Sequence, residues 1–281
     1  MRGEQQVPRE GGAWWGMADH RAFLLNDAQR QLQFFRPSLD VAGGFHQLDF
    51  DGKPIVGAPR ELHATTRMVH SFAIGMLAGF DGCEDVIDHG IATLLQHHRD
   101  AKHGGYVWSF DRSGQVIQGN KLAYGHAFVL LAAASATMVG HPDADRLLGD
   151  VIEVIDNNFW DASLGRMTEE YSRDWKAIFT YRGMNANMHS AEAFLAATEA
   201  TGDKSFAQRA KSIFDFFVGE IGASHGWRLP EHFDENWRVD PHFEGDPMFR
   251  PKGATPGHAF EFARLILQLR DLQDTEESEL F

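Results

Sequence analysis

The chain has 281 residues, 43% of them hydrophobic, and a formal charge of −14. That is apolar material for one large core, while the negative balance and the scattering of Lys and Arg exclude a nucleic acid or an anionic membrane as partner. The single cysteine, Cys83, excludes an internal disulfide framework and fits a reducing cytoplasm, and there is no run of about 18 apolar residues to span a membrane.

The opening MRGEQQVPREGGAWWG is polar and glycine-rich and reads as a loose leader over residues 1–18. Residues 19–36 form a first amphipathic helix. A loop of glycine, aromatics and Asp, GGFHQLDFDGKP (43–54), leads to a helix containing VHSFAIGMLAG from Val69. VIDHGIATLLQ follows, with Ile87, Ile91, Leu94 and Leu95 on one face, then the loop HGGYVWSFDRSGQ (103–115) and the helix GHAFVLLAAASA from Gly125. Residues 146–160 repeat the one-sided pattern through Leu148, Val151, Ile152, Ile155 and Phe159. The looser loop WDASLGRMTEEYSRDW precedes MHSAEAFLAATEA from Met188. Residues 204–221 are again one-sided, and HGWRLPEHFDENW (225–237) precedes GHAFEFARLILQL from Gly257. The end, residues 273–281, reads as a solvated acidic tail.

Two characters therefore alternate. The one-sided helices face water with Asp, Glu, Lys and Gln, whereas the histidine-headed helices are apolar nearly all round and demand cover on every side. Their histidines, His70, His126, His189 and His258, are separated by 56, 63 and 69 residues. Such alternation builds an outer ring around an inner one: an all-α domain over residues 19–272 of eight helices in four hairpins. The loops emerge where the inner helices start and roof over the histidines, which makes a pocket.

That pocket would collect Arg67, one turn before His70; Tyr124, two residues before His126; Asn185, His189 and Glu192; and Arg250, His258 and Glu261. No serine-nucleophile motif, histidine-paired cysteine or phosphate loop is present. A helix N-terminus disfavours a second positive charge, so these imidazoles tend to stay neutral and able to accept a proton. Glu261 and Glu192, three residues after His258 and His189, can each accept a hydrogen bond from one ring nitrogen and leave the other free. Proton removal beside a carbonyl suits such a site, with Arg67, Arg250 and Tyr124 as donors to the developing enolate oxygen. The histidines with Glu192 and Glu261 include the ligand types of zinc or manganese, but no two histidines stand at short ligand spacing within one inner helix, so no metal is expected. His70 reads as structural, His97–His98 as a cap at the negative pole of an outer helix, and Glu169, Glu170, Asp174, His232 and Asp234 as loop or pocket rim.

The pieces TTRMVH (65–70), GGYVW (104–108), YGHAFVLLAAASA (124–136), YRGMNANMHSAEAFL (181–195), EHFDENW (231–237) and GATPGHAFEFARL (253–265) run in order over nearly all of residues 60–270. Through them the chain resembles the N-acylglucosamine 2-epimerase superfamily, and most closely its aldose–ketose isomerase branch. The resemblance implies an (α/α)6 toroid and cofactor-free isomerisation through a cis-enediolate, often of mannose to fructose. It implies that His258 is an acid/base group with Glu261 beside it, and that His189 helps ring opening or binds hydroxyls. Arg67, Tyr124, His126, Asn185, Glu192 and Arg250 would bind the monosaccharide. The family's toroid has six hairpins and about four are counted here; six at about 63 residues each would take roughly 380 residues. No histidine follows His258 to supply the family's partner on the last inner helix. An incomplete ring predicts exposed apolar flanks, and with them association into a homo-oligomer, partial disorder or low solubility. The alternatives to an isomerase are a sugar 2-epimerase and a shortened, non-catalytic sugar-binding or interaction module.

Overall fold

Eight α-helices follow one another within residues 17–178 and 180–278, which the computed structural model describes. They are α1 (Ala18–Phe35), α2 (Leu62–Leu77), α3 (Glu84–Thr93), α4 (Ala123–Met138), α5 (Ala144–Val154), α6 (Met184–Thr201), α7 (Lys204–Phe214) and α8 (Pro256–Ser278). The even-numbered helices are inner, and neighbours in that layer run α2, α4, α6, α8. Every residue of α4 from Ala123 to Ala136 is buried, and its run of alanines lets α2 and α6 close on either side. The tight hairpins pair each inner helix with the outer helix that follows it: α2 with α3, α4 with α5, and α6 with α7. Gly90 shows how close the first of these is, because a Cβ there would fall 2.3 Å from Val69 Cγ2. The outer helices bury one stripe only, Leu147, Leu148, Val151 and Val154 in α5 and Phe206, Ala210, Ile213 and Phe214 in α7.

The two ends of the arc differ from its middle. On α1 the side chains of Phe23, Leu24, Leu25, Phe34 and Phe35 are 40–53% exposed, and on α8 Phe260 is 79% exposed although Phe262 and Leu265 are buried. These are the exposed apolar flanks expected of an arc of four hairpins. The leader falls mostly outside the described residues. The acidic tail does not begin as a separate segment after residue 272, because α8 continues to Ser278.

The long connections carry a second repeat. Each outer helix from α3 onward ends in a wide π-helical turn (Leu94–His98, Ile155–Phe159, Asp215–Gly222) that swings the chain into its loop. Each loop contains a turn in which Asp49, Asp111, Ser172 or Asp234 accepts from the N–H three residues on. That residue is in the left-handed region in all four: Gly52 and Gly114, but Trp175 and Trp237. Tryptophan there costs about 1–2 kcal/mol. For Trp175 the cost is offset by its indole N–H donating to His103 O at 2.6 Å and by its packing on Phe159 and Tyr171. The loops are then stitched together. The pair before each of α2, α4 and α6 lies antiparallel to the following loop: Arg60–Glu61 to Ser109–Phe110, Lys121–Leu122 to Glu170–Tyr171, and Arg182–Gly183 to His232–Phe233. All these loops therefore meet at the end where the inner helices begin.

Buried charge pins two of the loops. Arg60 pairs with Asp40, and Lys121 with Asp100 at 3.2 Å, the last two side chains being 0% and 1% exposed. Burial pushes the Asp100 carboxyl up, but Arg173, Lys121 and the amide of Lys102 hold it well below the usual carboxylate range. Burial pulls Lys121 down to about 8 against the attraction of Asp100. Of the doublet His97–His98, His98 does not cap α3 as a cation. His98 is wholly buried, donates from Nδ1 to Val107 O at 3.0 Å and accepts from the Thr65 hydroxyl at Nε2. Burial holds it neutral, with a pKa of about 3.

Candidate active site

Where the loops meet, a cavity of about 270 Å³ is lined by Glu61, Trp108, Tyr124, Glu169, Tyr181, Asn185, Phe249 and Arg250. Tyr124 and Asn185 reach it because each lies within the first two residues of its inner helix, α4 and α6. Arg250 comes from the long loop before α8 and bonds Glu169 at 3.1 Å and Glu170 at 3.0 Å. Phe249 packs edge-on against Trp108 and His63, both at 5.4 Å between ring centres, while its carbonyl accepts from Asn185 Nδ2 at 3.1 Å. The loop thus closes over the cavity through one aromatic ring and one guanidinium.

The candidate acid/base groups, His189 on α6 and His258 on α8, are not among the residues that line this cavity. His189, one turn into α6, donates from Nδ1 to Glu192 Oε2 at 3.0 Å. Glu261 Oε1 approaches the same nitrogen at 3.8 Å. The Tyr124 ring lies edge-on to His189 at 5.4 Å, and its hydroxyl accepts from Arg67 at 3.1 Å, so α2, α4, α6 and α8 each contribute one group to a continuous polar seam. Arg67 also lies over the Phe128 ring at 4.5 Å and lines a wider, mostly apolar groove of about 600 Å³ between α1 and α2. Burial alone would lift the Glu192 carboxyl; the His189 N–H and the Arg264 guanidinium at 2.7 Å hold it below its usual value.

One pairing differs from the spacing argument. Glu261 does not serve as the partner of His258. It turns to His189 instead, and His258 Nδ1 lies 3.0 Å from Glu231 Oε2. Glu231 is 3% exposed, and the Glu231 contact raises His258 above the usual histidine value, so the charge of a buried carboxylate outweighs both burial and the positive pole of α8. Sequence reasoning passed over Glu231 and placed Glu169 at the rim. The signal was available in the loops. Aligned on their turn residues Asp111, Ser172 and Asp234, they put Trp108, Glu169 and Glu231 in register, each three residues earlier. Three neighbouring ligand-type groups, His189, Glu192 and Glu261, lie within 4.8 Å of one another among the described residues. Glu192 is already matched there by His189 and Arg264, an arrangement suited to moving protons.

His126 leaves the sugar-binding set. It is wholly buried, with Nε2 accepting from Tyr106 N at 3.0 Å and Nδ1 donating to Leu122 O at 2.8 Å, so no ring atom remains for a ligand. Burial keeps it neutral, with a pKa of about 3. His70 bridges α2 to Ser135 of α4 at 2.7 Å and lines the groove between α1 and α2. Because His98 and His126 have folded pKa values below that of the unfolded chain, the unfolded state binds the extra protons. Their contribution to stability is full above about pH 6.5 and is lost as pH falls towards about 3. Denaturant titrations should show unfolding free energy falling by about 1.4 kcal/mol per pH unit for each of them in that window. NMR should show both rings neutral for as long as the fold persists; titration of either near 6.5 would contradict this.

Residues 43–280 match the N-acylglucosamine 2-epimerase (GlcNAc 2-epimerase) family. The chain is 42% identical over 259 residues to a D-mannose isomerase of Thermobifida fusca, covering 91% of this chain and 64% of the relative. It is 41% identical over 261 residues to a D-mannose isomerase of Pseudomonas cannabina pv. alisalensis, covering 92% and 62%. The chain therefore spans a little under two thirds of these relatives. A crystal structure of a D-mannose isomerase superposes with a TM-score of 0.80 at 32% identity, covering 89% of this chain and 65% of that one.

Proposed function

The chain belongs to the N-acylglucosamine 2-epimerase family, and from that premise we propose that it is a cofactor-independent aldose–ketose isomerase converting mannose to fructose through a cis-enediolate. The observation that carries the reading is the meeting of His189 with Glu261, three residues after His258 on α8, beside the Arg67–Tyr124 pair. The D-mannose isomerase relatives support the choice of sugar.

In this reading His189, with Glu192, moves the proton that opens the pyranose ring. His258 takes the proton from C2, and the C–H electron pair forms the C1–C2 double bond while the C1–O1 π pair moves onto O1, giving the enediolate. Arg67, Tyr124 and Arg250 stabilise the charge on the enediolate oxygens. O2 then passes its proton to O1 and becomes the ketone oxygen as C1 receives the proton from His258. Asn185 and the ring faces of Trp108 and Phe249 hold the hydroxyls and carbon skeleton. The absence, among the described residues, of any helix long and apolar enough to cross a membrane, together with the buried free thiol of Cys83, is in keeping with placement in the cytoplasm.

Incubation with D-mannose in heavy water should yield fructose carrying deuterium at C1, read by NMR. Glucose labelled at C2 would make the protein an epimerase, and calorimetric binding without product would make it a sugar-binding module. Turnover should also survive excess EDTA; its loss, restored by zinc or manganese, would overturn the metal-free mechanism.

A further inference from the structure

We infer that Glu231 is a positioning residue for His258: its carboxylate fixes the imidazole as the Nδ1–H tautomer and leaves Nε2 as the nitrogen that exchanges the proton. The role in turnover rests on the isomerase reading; the tautomer does not.

The argument starts from the backbone. Glu231 O accepts from Met184 N at 2.9 Å where α6 begins, as Glu169 O accepts from Ala123 N at α4 and Trp108 O from Leu62 N at α2, both at 2.8 Å. One repeat position thus satisfies an orphan N–H at the start of three inner helices, α2, α4 and α6. In the last two repeats it also carries a glutamate whose side chain reaches the final segment, Glu169 to Arg250 and Glu231 to His258.

Glu231 grips that segment twice. One oxygen accepts from Thr255 N, immediately before α8, and the other lies 3.0 Å from His258 Nδ1. The adjacent His232 donates from Nε2 to Pro251 O at 2.7 Å and accepts from the Tyr181 hydroxyl at Nδ1, so the entry to α8 is held at residues 251 and 255. The approach to His258 lies outside hydrogen-bond geometry, and Nδ1 has no hydrogen-bond partner among the described residues, but a contact of this length favours a proton on Nδ1. A bare Nδ1 would set a nitrogen lone pair against carboxylate lone pairs at contact distance. The charged groups facing the ring are Glu231 from the loop, Glu261 on α8 itself, and the His189–Glu192 pair of α6 beyond Glu261. The Glu231 contact contributes most to the upward displacement of the His258 pKa, burial opposes it, and Glu261 adds to it. A group drawn upward from 6.5 moves towards the neutral range in which it can both take and return a proton.

The test is ¹⁵N-histidine NMR on the full chain, with His258 assigned by its loss in His258→Asn. The expected wild-type spectrum has Nδ1 protonated and Nε2 bare above the titration midpoint. In Glu231→Gln the amide N–H₂ should face Nδ1, reversing the tautomer and lowering the midpoint, and Glu231→Asp should restore both in part. If the wild type already exchanges protons with mannose, Glu231→Gln should lower kcat roughly a hundredfold or more, with KM within about threefold and the pH profile displaced to lower pH. An Nε2-protonated wild type, or unchanged tautomer and midpoint in Glu231→Gln, would overturn the inference whether or not the protein turns over. If Glu231→Gln does not fold, the wild-type tautomer alone decides it. A wild type without exchange but with the Nδ1–H tautomer would refute the isomerase reading and leave the positioning intact.

Discussion

His258→Ala is expected to abolish exchange of the substrate C2 hydrogen with solvent and to lower kcat/KM by roughly 10²–10⁴-fold, the usual contribution of a general acid/base group. The reason is positional. His258 is the imidazole of α8's first turn and lies against a buried carboxylate. The alanine variant also strands Glu231, whose side chain is 3% exposed, so some loss of stability should accompany the loss of activity. His258→Gln separates the two effects: its amide can still donate to Glu231 but cannot carry a proton. Stability near wild type with exchange still absent is the expected outcome. Undiminished exchange in either variant would remove His258 from the mechanism and point to His189 as the base.

The second large effect concerns the frame that presents the site. Asp100→Ala should destabilise the fold by about 3–5 kcal/mol, because it strands the ammonium of Lys121, whose side chain is 0% exposed. Asp100 also accepts from the Lys102 amide at 3.2 Å, the His103 amide at 3.3 Å and Arg173 Nε at 2.7 Å, so with Lys121 four residues lose their acceptor together. Arg173 is 46% exposed and can turn to water, but Lys121 cannot. In a domain of this size the loss corresponds to a fall of roughly 6–20 °C in Tm by calorimetry. Asp100→Leu combined with Lys121→Met should recover most of it, since removing both charges also removes their desolvation penalty. A double variant no better than Asp100→Ala would mean that the loop needs the ion pair for its conformation.

The two effects rest on different parts of the repeat. Asp100 and Lys121 hold the second loop against the strand that leads into α4, whereas Glu231 and His258 hold the fourth loop against α8. Both use a carboxylate from a loop to fix the entry of an inner helix. The arc's core is apolar and alanine-rich, so the polar placement that chemistry needs comes from the loops and is paid for there in buried charge.

The residues themselves determined the alternation of one-sided and all-round apolar helices, the four histidine-headed segments and the gathering of loops at one end. These are local or periodic properties, because a helix face is set by spacing along a single segment. His189 with Glu192 was legible for the same reason, being three apart on one helix. The tertiary structure alone decided that Glu261 turns to His189, that Glu231 reaches His258 from 27 residues away, and that His126 is spent on Tyr106 and Leu122. It also decided that each tight hairpin runs from an inner helix to the next outer one. A side chain's partner across a loop depends on the direction in which the backbone delivers it, and sequence spacing carries no record of that direction.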